Sequence, residues 1–290
     1  MNKFNGLGVA MVTPFKTDKS IDFEALERLT NHLIDGGVKY LVVMGTTGEN
    51  PTLSVQEQYQ VLEKVKAVNA NRLPIVFGIG GNNTEAVVRR LGDEELTGID
   101  AILSVSPYYN KPSQGGIYSH YKALSEATRY PIIMYNVPGR TGSLVSAETT
   151  LKIAQLPQII CTKEASGSLE VCMDVIREAP ADFGVISGDD NFTLPYIALG
   201  MQGVISVIGN AYPKEFSQLV NYAIAGDYKN ARHLHYKLLP LMQAIFGDGN
   251  PGGVKYVLQK LGICNNQFRL PVVPVNKKTM KLIDAAMEKL

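Results

Sequence analysis

Eight short runs of apolar, largely β-branched residues recur along the chain and are separated by segments with helical periodicity. The runs cover residues 8–12, 41–44, 75–79, 101–105, 132–136, 159–163, 185–187 and 204–207. Continuous apolar strands that alternate with helices are typical of parallel strands buried on both faces. Eight such units in 290 residues predict an α/β fold, the TIM (β/α)8 barrel, which typically takes about 250 residues.

Helix start and stop signals lie between these runs. Asp22 can cap a helix that ends at Gly36-Gly37, and Ser54 with Glu57 forms a capping-box pattern. An open doubly wound sheet is the alternative architecture, but no G-x-G-x-x-G motif opens a helix after the first run. The glycine-rich segment 78–82 lacks that spacing and indicates a loop whose backbone passes close to a neighbouring segment.

Four helical segments follow the eighth run, over residues 213–225, 228–246, 254–261 and 277–290. A barrel of eight βα units needs only the first of them. The sequence therefore predicts a barrel catalytic domain over residues 1–225 and a C-terminal helical extension over residues 226–290, with a glycine-rich connector at 247–253 inside the extension.

Charge and cysteine content exclude several classes of protein. The 28 basic and 27 acidic residues leave a net charge of +1, which gives no footprint for nucleic acid or an anionic membrane. The N-terminus has no apolar signal core and no run is long enough to span a bilayer, so a cytoplasmic protein is expected. The three separated cysteines, Cys161, Cys172 and Cys264, fit buried thiols in a reducing compartment, and no metal site is expected.

One predicted strand ends in a lysine, Lys163, and this residue indicates chemistry. Burial lowers the pKa of an amine, and a neutral amine attacks carbonyl groups. A lysine at a strand end can instead extend its ammonium into solvent. The first interpretation is favoured because alternation of side chains brings a phenol and a hydroxyl to the same rim. The side chains predicted to share an orientation are Ile159, Cys161 and Lys163, then Val43, Gly45 and Thr47, then Ile133 and Tyr135.

Loops after the predicted strands supply further candidate groups. The turn 45–49, Gly-Thr-Thr-Gly-Glu, can direct backbone N–H groups inward as a nest for a small carboxylate. Arg140 follows the fifth strand and can clamp a carboxylate bidentately. Tyrosines such as those of loop 108–112 are typical of interfaces. Asp189-Asp190 is interpreted as a helix N-cap and not as metal ligands, because no third hard ligand is evident.

Four motifs in this order resemble those of the 4-hydroxy-tetrahydrodipicolinate synthases, long called dihydrodipicolinate synthases, a family of the pyruvate-dependent class I aldolase superfamily. They are Gly45-Thr46-Thr47-Gly48-Glu49, Ser106-Pro107-Tyr108-Tyr109-Asn110-Lys111-Pro112, Tyr135-Asn136-Val137-Pro138-Gly139-Arg140-Thr141-Gly142 and Lys163-Glu164-Ala165. The resemblance implies a TIM barrel, usually a homotetramer built as a dimer of tight dimers. It also implies condensation of pyruvate with L-aspartate 4-semialdehyde in lysine and diaminopimelate biosynthesis, without a metal or organic cofactor.

The resemblance further implies roles for the residues that meet pyruvate. Lys163 is the imine-forming lysine. Thr46 and Thr47 bind the pyruvate carboxylate. Thr47, Tyr135 and a Tyr109 that reaches across from the neighbouring subunit form a proton relay, which typically contributes about 10² to 10⁴-fold in rate.

Other implied roles concern the second substrate and the pocket walls. Arg140 holds the carboxylate of the semialdehyde and supports Tyr135, and the backbones of Gly188 and Ile205 shape the pocket.

Arg140 also distinguishes this function from the alternative functions. N-acetylneuraminate lyases and 2-keto-3-deoxy sugar acid aldolases of the same superfamily act on polyol aldehydes, which need hydrogen-bonding groups there instead of a cation. A non-catalytic barrel that binds keto acids would need no relay of hydroxyl groups.

The chain departs from its relatives at two places. Many relatives carry proline in place of Gly253 and a larger residue before it. Lysine-sensitive relatives hold that effector with a carboxylate at the position of Ala86 and often a histidine at that of Gln58. A buried ammonium without an anionic partner is costly, so weak or absent inhibition by lysine is expected unless the adjacent Glu85 substitutes.

Overall fold

Eight parallel strands pair in chain order and close into a barrel in the computed structural model, which describes residues 3–92 and 96–290. The strands are β1 (Gly6–Ala10), β2 (Tyr40–Val43), β3 (Ile75–Gly78), β4 (Ala101–Val105), β5 (Ile132–Asn136), β6 (Ile159–Glu164), β7 (Gly184–Ser187) and β8 (Gly203–Ser206). The last strand pairs with the first, so the sheet closes on itself. The predicted TIM barrel is confirmed and the open sheet is excluded.

The first strand lies two residues earlier than the sequence predicts. β1 pairs with β8 from Gly6 onward and ends at Ala10. A side chain terminates the strand: the Val12 N–H donates to Asn210 Oδ1 at 3.1 Å, and Asn210 Nδ2 donates to the Ala10 carbonyl at 2.8 Å. This asparagine therefore replaces the next pair of backbone hydrogen bonds.

Helices alternate with the strands and continue after the barrel. They are α1 (Phe23–Asp35), α2 (Val55–Asn69), α3 (Thr84–Leu91), α4 (Gln114–Ala127), α5 (Pro138–Thr141), α6 (Ala147–Ile153), α7 (Leu169–Glu178), α8 (Thr193–Ala198), α9 (Pro213–Ile224), α10 (Tyr228–Ala244), α11 (Gly252–Lys260) and α12 (Lys277–Met287). Both predicted caps are confirmed: Asp22 accepts from the Ala25 N–H, and Ser54 with Glu57 forms a capping box. Within the described ranges, no helix combines the length and apolarity that a membrane span needs.

Apolar side chains of the strands divide between two layers because they alternate along each strand. One layer fills the barrel and includes Tyr40, Val42, Ile133, Cys161, Ile186 and Ile205. The other lies between the barrel and the helices and includes Val9, Leu41, Val43, Phe77, Met134 and Ile159. Polar groups that end the inward-facing series therefore meet at the carboxyl rim of the barrel.

A β-bulge in β6 sets which of its residues face inward. Ile132 pairs with Ile159, but the next residue, Ile133, pairs with Cys161, so Ile160 is an extra residue. The bulge changes the alternation, and Ile159 packs toward the helices while Cys161 faces the barrel interior. The prediction that Ile159 shares the face of Lys163 is therefore wrong, whereas that for Cys161 is confirmed.

The inward-facing side of β2 is the opposite of the predicted one. Val43 packs in the outer layer, so the prediction that it shares the orientation of Ile133 is wrong. Met44, the residue after β2, then adopts a left-handed conformation with φ of 59°, which ends the extended strand before the turn that begins at Thr46. A Cβ at Gly78 would lie 2.0 Å from the Met44 carbonyl oxygen, so the close backbone approach predicted for segment 78–82 is confirmed.

Candidate active site

Lys163 lies near the carboxyl end of β6 with its amine inside the barrel. The side chain is almost fully buried, and Nζ lies 4.2 Å from the centroid of the Tyr135 ring. Burial lowers the pKa of Lys163 to about 8; Asp189 and Asp190 oppose this shift and Arg140 adds to it. At pH 7 roughly a tenth of these amines are then neutral, against fewer than about one in a thousand for an ordinary lysine. Lys163 is thus suited to nucleophilic attack.

Tyr135 lies beside Lys163 because the two residues are paired in register between β5 and β6. Burial raises the pKa of its hydroxyl to about 12, although Arg140 and a hydrogen-bonding contact with Thr46 lower it. The phenol is therefore protonated at neutral pH. It can donate a proton to a developing oxyanion or nitrogen and take one back within the buried site.

The two threonines after β2 have different surroundings. Both lie in the short 3-10 turn Thr46–Gly48. Thr46 contacts Tyr135 and lines a cavity of about 270 Å³. Thr47 is buried, and its hydroxyl accepts a hydrogen bond from Asn250. The sequence placed Thr47 beside Tyr135, but the hydroxyl that contacts Tyr135 is that of Thr46. The prediction took Val43 as facing inward, whereas Tyr40 and Val42 are the residues of β2 that face the barrel interior.

Arg140 lies on the short helix α5, exposed, and lines the same cavity as Thr46 and Tyr135. Asn136 anchors the loop that carries it. The Asn136 side chain donates to the Val145 carbonyl at 3.0 Å, donates to the Glu164 carboxylate at 2.9 Å and accepts from the Val145 N–H at 3.1 Å. A cation is thus presented to the cavity from a fixed turn.

Gly188 and Ile205 lie on the far side of Lys163 from Tyr135. A Cβ at Gly188 would lie 2.7 Å from the Ala165 Cβ and 3.0 Å from Lys163 Cε, so only glycine leaves room for the lysine side chain. Ile205 is fully buried in the barrel interior. Gly188 therefore lies directly against the lysine side chain.

Asp190 does not cap the helix that follows it in sequence. Its buried carboxylate accepts hydrogen bonds from the backbone N–H groups of Val207 at 3.0 Å and Ile208 at 2.7 Å, in the loop after β8. Asp189 does occupy the predicted N-cap position, before the short 3-10 turn Asp190–Phe192, and Asp190 is the acid of its first turn. No side chain makes the capping hydrogen bond, and the Asp190 carboxylate reaches across to the neighbouring βα loop instead. Over residues 3–92 and 96–290, no group of three or more His, Cys, Asp or Glu side chains is placed to hold a metal ion.

Tyr109 stands apart from the other candidate residues of its own chain. Its side chain is 84% exposed and its φ is 75°, so it projects from the loop before α4 in a strained conformation. The adjacent Tyr108 lines the cavity beside Tyr135. Inside one chain, therefore, Lys163, Tyr135, Thr46 and Arg140 come together without Tyr109.

Sequence reasoning missed the contribution of the C-terminal extension. Asn250 contacts Thr47, and the fully buried Lys255 forms an ion pair with the buried Glu49 at the end of the same turn. One signal was available: Lys255 lies in the apolar run Val254-Lys255-Tyr256-Val257-Leu258, just as Lys163 ends an apolar strand. A lysine in such a run needs an acidic partner or a chemical role.

Known proteins resemble this chain over its whole length. Residues 3–290 match the Dihydrodipicolinate synthetase family. The 4-hydroxy-tetrahydrodipicolinate synthase of Parabacteroides distasonis is 51% identical over 286 residues, 98% of this chain and 96% of that protein. A dihydrodipicolinate synthase from Acinetobacter baumannii, solved in complex with pyruvate, has a TM-score of 0.96 at 37% identity and covers 99% of this chain and 98% of its own. The corresponding protein from Cyanidioschyzon merolae, solved with lysine bound, has a TM-score of 0.96 at 35% identity and covers 100% and 99%. The chain belongs to the dihydrodipicolinate synthetase family.

Proposed function

We propose that this chain condenses pyruvate with L-aspartate 4-semialdehyde through a Schiff base on Lys163 and forms 4-hydroxy-tetrahydrodipicolinate, a step of lysine and diaminopimelate biosynthesis. The observation that carries the proposal is the buried Lys163 amine over the ring of Tyr135, with its pKa lowered to about 8. The activity agrees with the name of the relative from Parabacteroides distasonis and with the pyruvate bound by that from Acinetobacter baumannii.

The chemistry follows from the properties of a protonated imine. The neutral Lys163 amine attacks the ketone of pyruvate, and water leaves as the imine forms. The cationic imine nitrogen withdraws electrons, so a methyl proton is lost and an enamine forms. The enamine carbon attacks the aldehyde of the semialdehyde and forms the new carbon–carbon bond. The semialdehyde amine then displaces Lys163 as the ring closes, which frees the lysine for another cycle without any cofactor.

Tyr135 and a threonine move the protons in this scheme. We assign the relay to Tyr135 and Thr46, whose side chains are in contact, together with Tyr109 of the partner subunit. Thr47 was assigned to the relay on sequence grounds. We assign to it only the binding of the pyruvate carboxylate, together with the backbone of the turn. Arg140 lies on the same cavity and pairs with the carboxylate of the semialdehyde.

The assembly proposed is a cytoplasmic homotetramer built as a dimer of tight dimers. The tight dimer within it is supported by the exposed and strained Tyr109 and by a cavity beside Tyr135 that is lined by Thr46, Tyr108 and Arg140. A large aromatic side chain held away from its own chain is suited to an interface. In a two-fold dimer, each Tyr109 reaches the site of the other subunit.

Mixing two inactive variants tests whether Tyr109 acts in trans. We expect Tyr109→Phe and Lys163→Ala to be inactive alone and to regain activity when refolded together. In a hybrid dimer one site combines an intact Lys163 with an intact Tyr109. Since half of the dimers are hybrids and one of their two sites is intact, the mixture should reach roughly a quarter of normal activity. Hybrids that are verified by mass and remain inactive would rule out a shared site.

A panel of aldehydes tests the second substrate, with pyruvate held constant. We expect L-aspartate 4-semialdehyde to be used and polyol aldehydes to be rejected. Arg140→Ala should lower kcat/KM for the semialdehyde by a factor that corresponds to about 1.5 to 3 kcal/mol, the cost of a lost charge-assisted hydrogen bond. Imine formation with pyruvate should stay nearly unchanged. Arg140→Lys is the matched control, which keeps the charge without the bidentate geometry. An equal loss in both half-reactions would give Arg140 a structural role instead.

The surroundings of Gln58 bear on inhibition by lysine. Its amide nitrogen donates to Asn50 and to the Leu53 carbonyl, and Arg90 donates to its amide oxygen at 2.9 Å. An arginine cation thus contacts Gln58, the residue at the position where lysine-sensitive relatives often carry a histidine. Glu85 is exposed, and Arg89 lies 3.9 Å from its carboxylate.

We therefore expect weak or absent inhibition by lysine, because a buried ammonium binds strongly only where the pocket supplies an anionic partner. Steady-state assays across a lysine titration measure this directly. The relative from Cyanidioschyzon merolae, solved with lysine bound, is a suitable positive control. Cooperative inhibition at micromolar to low millimolar lysine would show that the pocket has been assigned to the wrong residues.

A further inference from the structure

The C-terminal extension reaches the candidate active site through Asn250. Asn250 Nδ2 donates to Thr47 Oγ1 at 2.9 Å, across 203 positions of sequence. Thr47 is 1% exposed, so water does not compete for this contact. We propose that Asn250 is a positioning residue that keeps the Thr47 hydroxyl directed as a hydrogen-bond donor toward the carboxylate of pyruvate. The inference rests on the proposed function, because it gives that carboxylate to Thr47.

The argument depends on the polarity of the two groups. A threonine hydroxyl has one proton to donate and two lone pairs that accept. A carboxylate can only accept, so Thr47 must direct its single proton to the substrate. The amide N–H of Asn250 occupies a lone pair of Thr47 Oγ1 and leaves that proton available. An acceptor at position 250 would take the proton and leave Thr47 with nothing to donate.

The chain holds Asn250 in place from its C-terminal side. A Cβ at Gly253 would lie 2.2 Å from the Ile245 carbonyl oxygen and 2.5 Å from the Ile245 Cα, so the loop folds back in tight contact with the end of α10. Glycine is required here, because a Cβ at position 253 would collide with the backbone of Ile245. Two residues later Lys255 pairs with Glu49, which follows Thr47 by two residues.

Two contacts thus join the same pair of segments. The ion pair fixes the end of the turn, and the Asn250 amide reaches the hydroxyl within it. Asn250 Oδ1 is buried and has no hydrogen-bond partner among the residues described. The Asn250 side chain therefore meets the site through its contact with Thr47. Substitution of Asn250 can test which of the two groups donates the hydrogen bond.

Substitutions at Asn250 separate a donor from an acceptor. Asn250→Ala removes the contact and should raise KM for pyruvate about threefold to tenfold, as for one ordinary hydrogen bond, with KM for the semialdehyde changed less than twofold. Asn250→Asp keeps the volume but can only accept and adds a negative charge near the pyruvate carboxylate. It should raise KM for pyruvate further, by about 10 to 100-fold.

Two controls show whether Asn250 acts through Thr47. In a Thr47→Val background, Asn250→Ala should cause no further rise in KM for pyruvate, because the coupled partner is gone. Reductive trapping by borohydride should be slowed in Asn250→Ala with pyruvate, but not with hydroxyacetone, a ketone that lacks the carboxylate. Circular dichroism and the unfolding midpoint establish that each variant is folded.

The outcomes separate this inference from the function on which it rests. An Asn250→Asp variant that is milder than Asn250→Ala would mean that Thr47 donates to residue 250, which overturns the inference. An unchanged KM for pyruvate in both variants, with normal trapping at Lys163, overturns the inference alone. A chain that fails to trap pyruvate at Lys163 before any substitution contradicts the proposed function and this inference with it.

Discussion

Lys163→Ala should abolish condensation while leaving the barrel folded. Removal of a covalent nucleophile costs on the order of 10⁶ in kcat in a well-studied serine protease, and a loss of comparable size is expected here because the imine carries every later step. The side chain is buried but lies at the end of β6, so its truncation should leave strand pairing intact. Steady-state assays and circular dichroism together measure the two parts of this expectation.

Lys163→Arg is the matched control for charge. The guanidinium remains protonated at any assay pH and cannot form an imine, so this variant should be as inactive as Lys163→Ala. If the cation were needed only to attract a carboxylate, arginine would preserve activity. Substantial turnover by Lys163→Arg would therefore exclude the Schiff-base mechanism.

Lys255→Met should produce the largest loss of stability. The Lys255 amine pairs with Glu49, donates to the Gln267 carbonyl at 2.9 Å and lies 4.4 Å from the centroid of the Phe15 ring. Both members of the ion pair are buried, so removal of the lysine leaves the Glu49 carboxylate without its cation, with one hydrogen bond from the Arg269 backbone N–H at 3.2 Å. We expect the free energy of unfolding to fall by about 3 to 5 kcal/mol, measured by urea denaturation.

Two further variants calibrate this result. The double variant Lys255→Met with Glu49→Gln should lose less stability than Lys255→Met alone, because no charge is left buried. Lys152→Met removes a lysine from the exposed pair with Glu148 and should change the free energy of unfolding by less than about 1 kcal/mol. Similar losses in Lys255→Met and Lys152→Met would contradict the importance assigned to burial.

The barrel and its reactive lysine could be predicted because both leave local signals. Each strand is a short apolar run, and each run is visible without its neighbours. Lys163 ends such a run with an amine, and a lysine in a buried strand indicates a chemical role from the sequence alone. Tyr135 falls opposite Lys163 because β5 and β6 are neighbours in the barrel and the two residues are in register.

The details of the rim could not be predicted, because local backbone geometry decides them. Tyr40 and Val42, not Val43, face inward on β2, and it is Thr46, not Thr47, that contacts Tyr135. The bulge at Ile160 removes Ile159 from the inner face. In β2 all four residues are apolar, so the sequence does not show which face is the inner one, and in β6 no residue type marks the bulge.

Contacts between distant segments were the other part that the sequence did not reveal. Asn250 and Lys255 reach the turn after β2 across more than 200 positions. Asp190 likewise ties two adjacent loops together instead of capping its own helix. Such partners become visible only once the barrel has brought its loops to one rim.

The most direct test of the Schiff-base claim is the mass of the protein after incubation with pyruvate and borohydride. We expect inactivation together with the addition of one reduced pyruvate per chain, located at Lys163 by peptide mapping and absent in Lys163→Ala. The rate of trapping should rise with pH, reach half of its maximum near the pKa of about 8 to which burial lowers the amine, and level off roughly one pH unit higher. An unmodified chain, or modification at another lysine, would contradict the mechanism.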